Sequence, residues 1–99
     1  MAQFDLYTGV GRTNAYVVDL QADLLDQLAT RIVAPLMPRA ETEIITGLTP
    51  LVEVNGTEFV VLTQELAAVP ARELRNRVAS LAPHQDAIKR ALDILFLGF

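Results

Sequence analysis

The sequence contains no cysteine and a single histidine, His84. Without cysteine there is no disulfide framework and no cysteine-ligated zinc site. With one histidine there is no His pair at a metal-binding spacing. Charge is scarce as well: charged residues make up 20% of the chain against 52% hydrophobic, and the formal net charge is −4. Such a balance excludes a disordered or acidic-tail protein and leaves apolar material for a core without covalent staples. Positive charge is thinnest where the chain begins. Residues 1–70 carry 3 Lys/Arg against 9 Asp/Glu, a balance of −6, while residues 71–99 carry 5 against 3, a balance of +2. The first two-thirds would repel a phosphate backbone, so direct nucleic-acid binding is not expected. Long hydrophobic runs are missing too. Met1 to Asp5 lacks the basic and apolar regions of a signal peptide, and stretches such as Ile94 to Leu97 fall far short of the ~20 residues a membrane span needs. These absences read as a cytoplasmic protein without a membrane anchor, and 99 residues suit one domain.

The first half of the chain alternates with period two. Phe4, Leu6 and Thr8 share one face and Gln3, Asp5 and Tyr7 the other, which predicts a half-buried strand over 3–8. Gly9 and Gly11 open a polar loop through Arg12, Thr13 and Asn14. Ala15 to Leu20, rich in β-branched and aromatic side chains, completes an N-terminal hairpin with a flexible tip. Asp23 to Leu28 fits a helical turn or a loop. Arg31 to Pro38 reads as a strand in which Pro35 demands an edge position or a bulge, because proline has no N–H for a ladder. Leu51 to Leu62 is a hairpin around Asn55-Gly56, two residues that tolerate the positive φ of a type I′ turn. Residues 63–79 fit short helical turns or a short irregular strand, and Val69-Pro70 interrupts any longer helix.

From Pro83 onward the pattern turns helical. Ile88, Ala91, Leu92, Leu95 and Phe99 form an apolar stripe, Asp86/Arg90 and Lys89/Asp93 are spaced to pair on the polar side, and Gly98 stands where a helix ends. Strands followed by one helix predict a mainly β, α+β chain: a curled antiparallel sheet or barrel covered by a C-terminal helix.

Little in the sequence points to catalysis. A nucleophilic triad would depend on His84, which reads more simply as an exposed residue of a helix start. Asp19, Asp23 and Asp26 lack the glycine and terminal glutamate of a calcium loop and read as a solvated acidic edge. Gly9-Val10-Gly11 has neither the third glycine nor the following helix of a phosphate loop. Arg72, Arg75 and Arg77 read as surface arginines. Neither a metal nor a cofactor is expected. The segment Phe96-Leu97-Gly98-Phe99 is different, because chain termini are normally polar and frayed unless tied down. Either these side chains pack inward or they form a patch for a partner.

The chain resembles the CcdB family of plasmid- and chromosome-encoded toxins, which poison DNA gyrase. The likeness runs over essentially the whole length. It is carried by Gln3-Phe4 with Leu6-Tyr7-Thr8, by Val18-Asp19-Leu20-Gln21-Ala22-Asp23-Leu24-Leu25-Asp26, by Arg31-Ile32-Val33-Ala34-Pro35-Leu36, by Thr63 to Pro70 and by Asp86 to Gly98. The resemblance implies a strongly bent SH3-like sheet with a small side sheet and a C-terminal helix, a symmetric homodimer and no enzymatic activity. Its implied partners are the A subunit of gyrase, whose cleaved DNA complex such toxins trap, and a cognate antitoxin that folds on binding. Carried over by position, the gyrase-facing residues are Leu24 and Leu25 in the loop and Asp93, Phe96, Leu97, Gly98 and Phe99 at the helix end.

Three of these positions depart from the family. Asp93 replaces an asparagine, Phe99 stands where isoleucine is frequent, and Leu97 replaces the tryptophan of poisoning members. The last change removes a cation–π contact worth ~0.5–2 kcal/mol at a kind of hot spot where tryptophan is enriched. Two other readings stand beside gyrase poisoning. One is a MazF-like RNA-cleaving toxin, which needs a positive groove and an acid–base pair drawn from Arg72, Arg75, Arg77 and His84. The other is a family member that only dimerises or binds antitoxin.

Overall fold

A computed structural model describes residues 2–11 and 15–99. Its strands are β1 (Asp5–Thr8), β2 (Val17–Asp19), β3 (Thr30–Pro38), β4 (Leu51–Val54), β5 (Thr57–Val61), β6 (Ala67–Pro70) and β7 (Asn76–Ser80), followed by helix α1 (Gln85–Leu97). They join in one curled sheet of order β4-β5-β3-β2-β1-β7, with β6 paired to β3 beside that path. Every pairing is antiparallel. The predicted mainly β architecture with a C-terminal helix is the one observed.

The N-terminal hairpin forms with Leu6 opposite Val18 and Tyr7 opposite Val17. The proposed flexible tip at Arg12 to Asn14 lies outside the described residues. The first strand is not half-buried as its alternation predicts: Asp5, Leu6 and Tyr7 are all buried. Both faces of this part of the sheet are covered. One face joins the main core of Phe4, Leu6, Val18, Leu36, Val61 and Ile88. The other joins a smaller cluster of Tyr7, Val10, Val17, Val33 and Leu74. Asp5 is accommodated by ion pairing with Arg77 at 3.0 Å rather than by solvent. Ahead of β1, Phe4 adopts φ 72°, unusual for a bulky residue. Its N–H donates to the Asp19 carbonyl and its own carbonyl accepts from the Leu81 N–H, both at 2.7 Å, so the fold holds the strained residue from two sides.

The proline in β3 sits neither on an edge nor at a bulge. It lies in the centre of the sheet, opposite Val17 of β2, and marks where β3 exchanges neighbours. Thr30 to Val33 pair with β6, whereas Leu36 to Pro38 pair with β5. The Pro35 carbonyl still accepts from the Leu62 N–H at 2.9 Å, and the Leu62 carbonyl accepts instead from the Glu65 N–H at 2.9 Å. The missing proline donor thus falls where β5 has already ended and turned back on itself.

The central hairpin is as predicted, with Asn55 at φ 52° and Gly56 at φ 80°. Residues 63–79 use both alternatives: 3-10 turns at Thr63–Glu65 and Ala71–Glu73 alternate with the short strands β6 and β7. Helix α1 is entered through a 3-10 turn at Ala82–His84 that contains Pro83. Ile88 and Ala91 of the predicted stripe are buried, and Leu92 packs against the core. Phe99 leaves the stripe, because it lies beyond the helix end and is 86% exposed. Neither Asp86/Arg90 nor Lys89/Asp93 closes into an ion pair. The Lys89 ammonium lies 6.0 Å from the centroid of the Phe4 ring instead. Among the described residues no helix is long and apolar enough to cross a membrane.

Candidate functional site

Helix geometry builds the first part of the site. Ile88 and Ala91 are buried and Leu92 packs against the core, Ile94 and Leu95 are half-buried, and Lys89, Arg90 and Asp93 face outward. Asp93, Phe96 and Leu97 lie three and four residues apart on that outer side. Asp93 is exposed, and Phe96 and Leu97 are 66% and 63% exposed. Gly98 ends the helix in the left-handed conformation at φ 83°, with its N–H donating to the Ile94 carbonyl at 3.0 Å. That cap swings Phe99 away from the helix axis into solvent. Of the two alternatives for the tail, packing inward and presenting a patch, the isolated chain adopts the second.

The second part is the connection between β2 and β3. Asp23–Leu25 form a 3-10 turn with no buried residue, and Leu24 is 91% exposed. Leu25 and Leu28 are exposed beside it. Leu28 was not singled out from the sequence, although its spacing from Leu24 and Leu25 places it within one turn of both. No hydrogen bond joins this connection to α1 among the described residues. The residues expected to act together are thus displayed from two elements, Leu24 and Leu25 from the β2–β3 connection and Phe96, Leu97 and Phe99 from the end of α1.

Beneath the loop lies a polar core that corrects the reading of the acidic residues. Asp19 is fully buried rather than part of a solvated edge, and it forms an ion pair with the equally buried Arg31. Arg31 Nε donates to Asp19 Oδ2 at 3.1 Å, and its Nη2 donates to the same oxygen. Asp19 Oδ1 accepts from the Gln21 N–H at 3.0 Å. Asp23 accepts from the Gln3 N–H at 2.7 Å through Oδ1. Tyr7 lies buried near these groups. Burial first, then the Asp5 and Asp19 carboxylates, raise its phenol above the ordinary value of 10.0, against the lowering influence of Arg31 and Arg77.

The residues proposed for RNA cleavage are dispersed. Arg77 is engaged with Asp5. Arg72 and Arg75 line a cavity with Gly9, Gly11, Glu73 and Asn76. His84 lines a different one with Leu51, Val52, Glu53 and Glu58. Among the described residues no group of His, Cys, Asp or Glu is placed to hold a metal ion. A further groove of about 510 Å³, not anticipated from sequence, runs across the sheet between Tyr16, Met37, Phe59 and Val78, with Glu41 in its lining. The Tyr16 and Phe59 rings meet edge to face at 5.2 Å within it.

Several solved structures share this fold. The Mycobacterium tuberculosis toxin MazF-mt6 superposes with a TM-score of 0.77 at 18% identity, covering 93% of this chain and 95% of that one. A second, described as an Mtb toxin, gives 0.73 at 21% identity over 93% and 99% of the two chains. An endoribonuclease in complex with its cognate antitoxin, from a mycobacterial species, gives 0.79 at 13% identity over 100% and 96%. These likenesses establish a common curled-sheet fold. The sequence itself matches the family described as CcdB protein over residues 3–98, and the chain therefore belongs to the CcdB family.

Proposed function

We propose that this chain, acting as a single toxin domain over residues 1–99, is the toxin of a type II toxin–antitoxin system. In this reading it binds the A subunit of DNA gyrase and traps the DNA cleavage complex, and a cognate antitoxin neutralises it. The observation that carries the reading is the outward display of Phe96, Leu97 and Phe99 at the end of α1 in a member of the CcdB family. Side chains of this size normally lie in a core or an interface. Leu24 and Leu25 add an aliphatic contact from the loop, and Gly98 sets the direction in which the terminus leaves the helix. The mode of action is binding: apolar anchors fill pockets on gyrase, and poisoning follows from holding the enzyme in its cleaved state.

A symmetric homodimer accompanies this reading. Met37, Ile44, Ile45, Leu51 and Val78 are also exposed and offer apolar surface for a second copy. An antitoxin partner is supported by the fold neighbour solved with its cognate antitoxin. Action in the cytoplasm, where gyrase works, belongs to the same proposal.

Supercoiled plasmid incubated with purified gyrase and this protein should accumulate as cleaved DNA after denaturation. The absence of any stabilised cleavage at high protein concentration would overturn the reading. Removing Leu97 to Phe99 should abolish the effect while leaving the melting transition in place. The MazF-like fold neighbours favour RNA cleavage as the second reading. Degradation of RNA by the purified chain, lost in His84→Ala, would replace the first reading with this one. Growth arrest without either activity would point to another target, and unimpaired growth on expression would favour a member that only dimerises or binds antitoxin.

A further inference from the structure

Every residue from Ala22 to Thr30 is exposed. The segment that carries Leu24 and Leu25 therefore has no apolar anchor of its own, and burial cannot be what holds its shape. A flexible aliphatic loop would fold back onto the surface or lose ordering entropy on binding. Leu24 nevertheless stands 91% exposed on a defined turn, in which the Leu25 N–H donates to Ala22 at 2.9 Å, Asp26 to Asp23 at 3.1 Å and Leu28 to Leu25 at 3.2 Å.

The anchoring comes from Gln21, which is buried. Its Nε2 donates to the Leu25 carbonyl at 2.8 Å, its Oε1 accepts from the Ile32 N–H of β3 at 3.1 Å, and its backbone N–H donates to Asp19 at 3.0 Å. One side chain thus ties the turn to the sheet, and it is itself fixed by a carboxylate that Arg31 clamps. We infer that Gln21 is a positioning residue that preorganises the Leu24–Leu25 contact for its protein partner. The inference rests on the proposed role of these two leucines. Gln21 touches no target in this account. It acts through Leu25, with Asp23 as a second, solvent-exposed tether through the Gln3 N–H.

The test uses the full chain and the isolated A subunit of gyrase as probe. In the wild type, the amides of Leu25, Asp26 and Leu28 should be protected from hydrogen exchange despite their exposed side chains, and absence of protection would overturn the inference whether or not any variant folds. Gln21→Glu keeps the acceptor for Ile32 but sets a carboxylate oxygen against the Leu25 carbonyl. It should speed exchange at these amides by up to about tenfold, as loss of one part-buried hydrogen bond implies, leave the Leu51 to Leu62 hairpin unchanged, and weaken binding to the A subunit by a similar factor. Gln21→Met, which removes both side-chain bonds, should act in the same direction. Faster exchange across the whole sheet would make Gln21 a plain stabiliser of the fold and overturn the inference, as would local loosening with undiminished binding. If the wild type does not bind the A subunit at all, the gyrase reading fails, whereas the exchange measurements still decide whether Gln21 orders the loop.

Discussion

Asp19 and Arg31 are the residues on which the polar interior depends. Both side chains are fully buried, so removing one leaves the other charged, desolvated and unpaired. Asp19→Ala should cost about 3–5 kcal/mol, measured as a lowered urea midpoint with an unchanged slope. Replacing both residues with apolar ones of similar volume should recover most of that loss. Tyr7 supplies a second prediction at this scale. Its phenol is raised in the folded chain, so the folded state holds the proton more tightly than the unfolded state does. Its contribution is complete below the unfolded value of about 10 and is lost as the pH rises through the raised folded value. Thermal stability should therefore fall on the alkaline side above about pH 10, and Tyr7→Phe should flatten that fall. A slope unchanged in Tyr7→Phe would assign it to other groups. The sequence marked Asp19 only as one of three nearby aspartates. Nothing in its spacing separates it from Asp23, because the distinction comes from Arg31, twelve residues away in sequence.

At the scale of elements, local chemistry and tertiary context divide cleanly. Asn55-Gly56 determines its hairpin by itself, since both residues take the positive φ that the turn demands. Helix α1 follows from its apolar stripe, and its end from Gly98. Residues 63–79 leave strand and helical turn open for a physical reason: β6 is a strand only because Thr30 to Val33 of β3 lie alongside it, and no local periodicity encodes that partner. Pro35 shows the same limit, as an edge or bulge was predicted where the sheet instead changes neighbours around it. Gly47 yields the prediction for this scale. It sits at φ 84° before β4, and a Cβ there would lie 2.9 Å from Ile94 Cδ1 of α1. Gly47→Ala should lower stability by about 1–3 kcal/mol, mainly through backbone strain at this φ, because the tip of the Ile94 side chain can shift aside for the new methyl. A calorimetric melt reads the loss, and pairing it with Ile94→Ala should relieve the packing part while leaving the conformational part. No relief in the pair would place the whole cost in the backbone.

For the whole molecule, the surface rather than the core carries the functional proposal. The proposed mode of action needs no nucleic-acid groove: with a net charge of −4 it rests on the exposed Leu24, Leu25, Phe96, Leu97 and Phe99 as protein-binding surface. Leu97→Trp restores the aromatic ring of poisoning members at a site 63% exposed. It should tighten binding to the A subunit of gyrase by about 2- to 30-fold, the equivalent of ~0.5–2 kcal/mol, with no change in the unfolding transition. Titration calorimetry or surface binding checks it, and an unchanged affinity would move the contact away from this position.

The sequence by itself determined the elements whose causes are local: the period-two strands, the Asn55-Gly56 turn, the amphipathic helix and its glycine stop. It also placed Leu24, Leu25, Phe96 and Leu97 as a family likeness. Only the tertiary structure decided which apolar residues stay in solvent, because exposure depends on what packs against a residue and not on the residue. It likewise decided that β1 is buried on both faces and that Asp19 meets Arg31. Only the assembled sheet brings the Gln21 side chain between the Leu25 carbonyl and the Ile32 N–H, because a hydrogen bond depends on distance in space, which position along the chain does not encode.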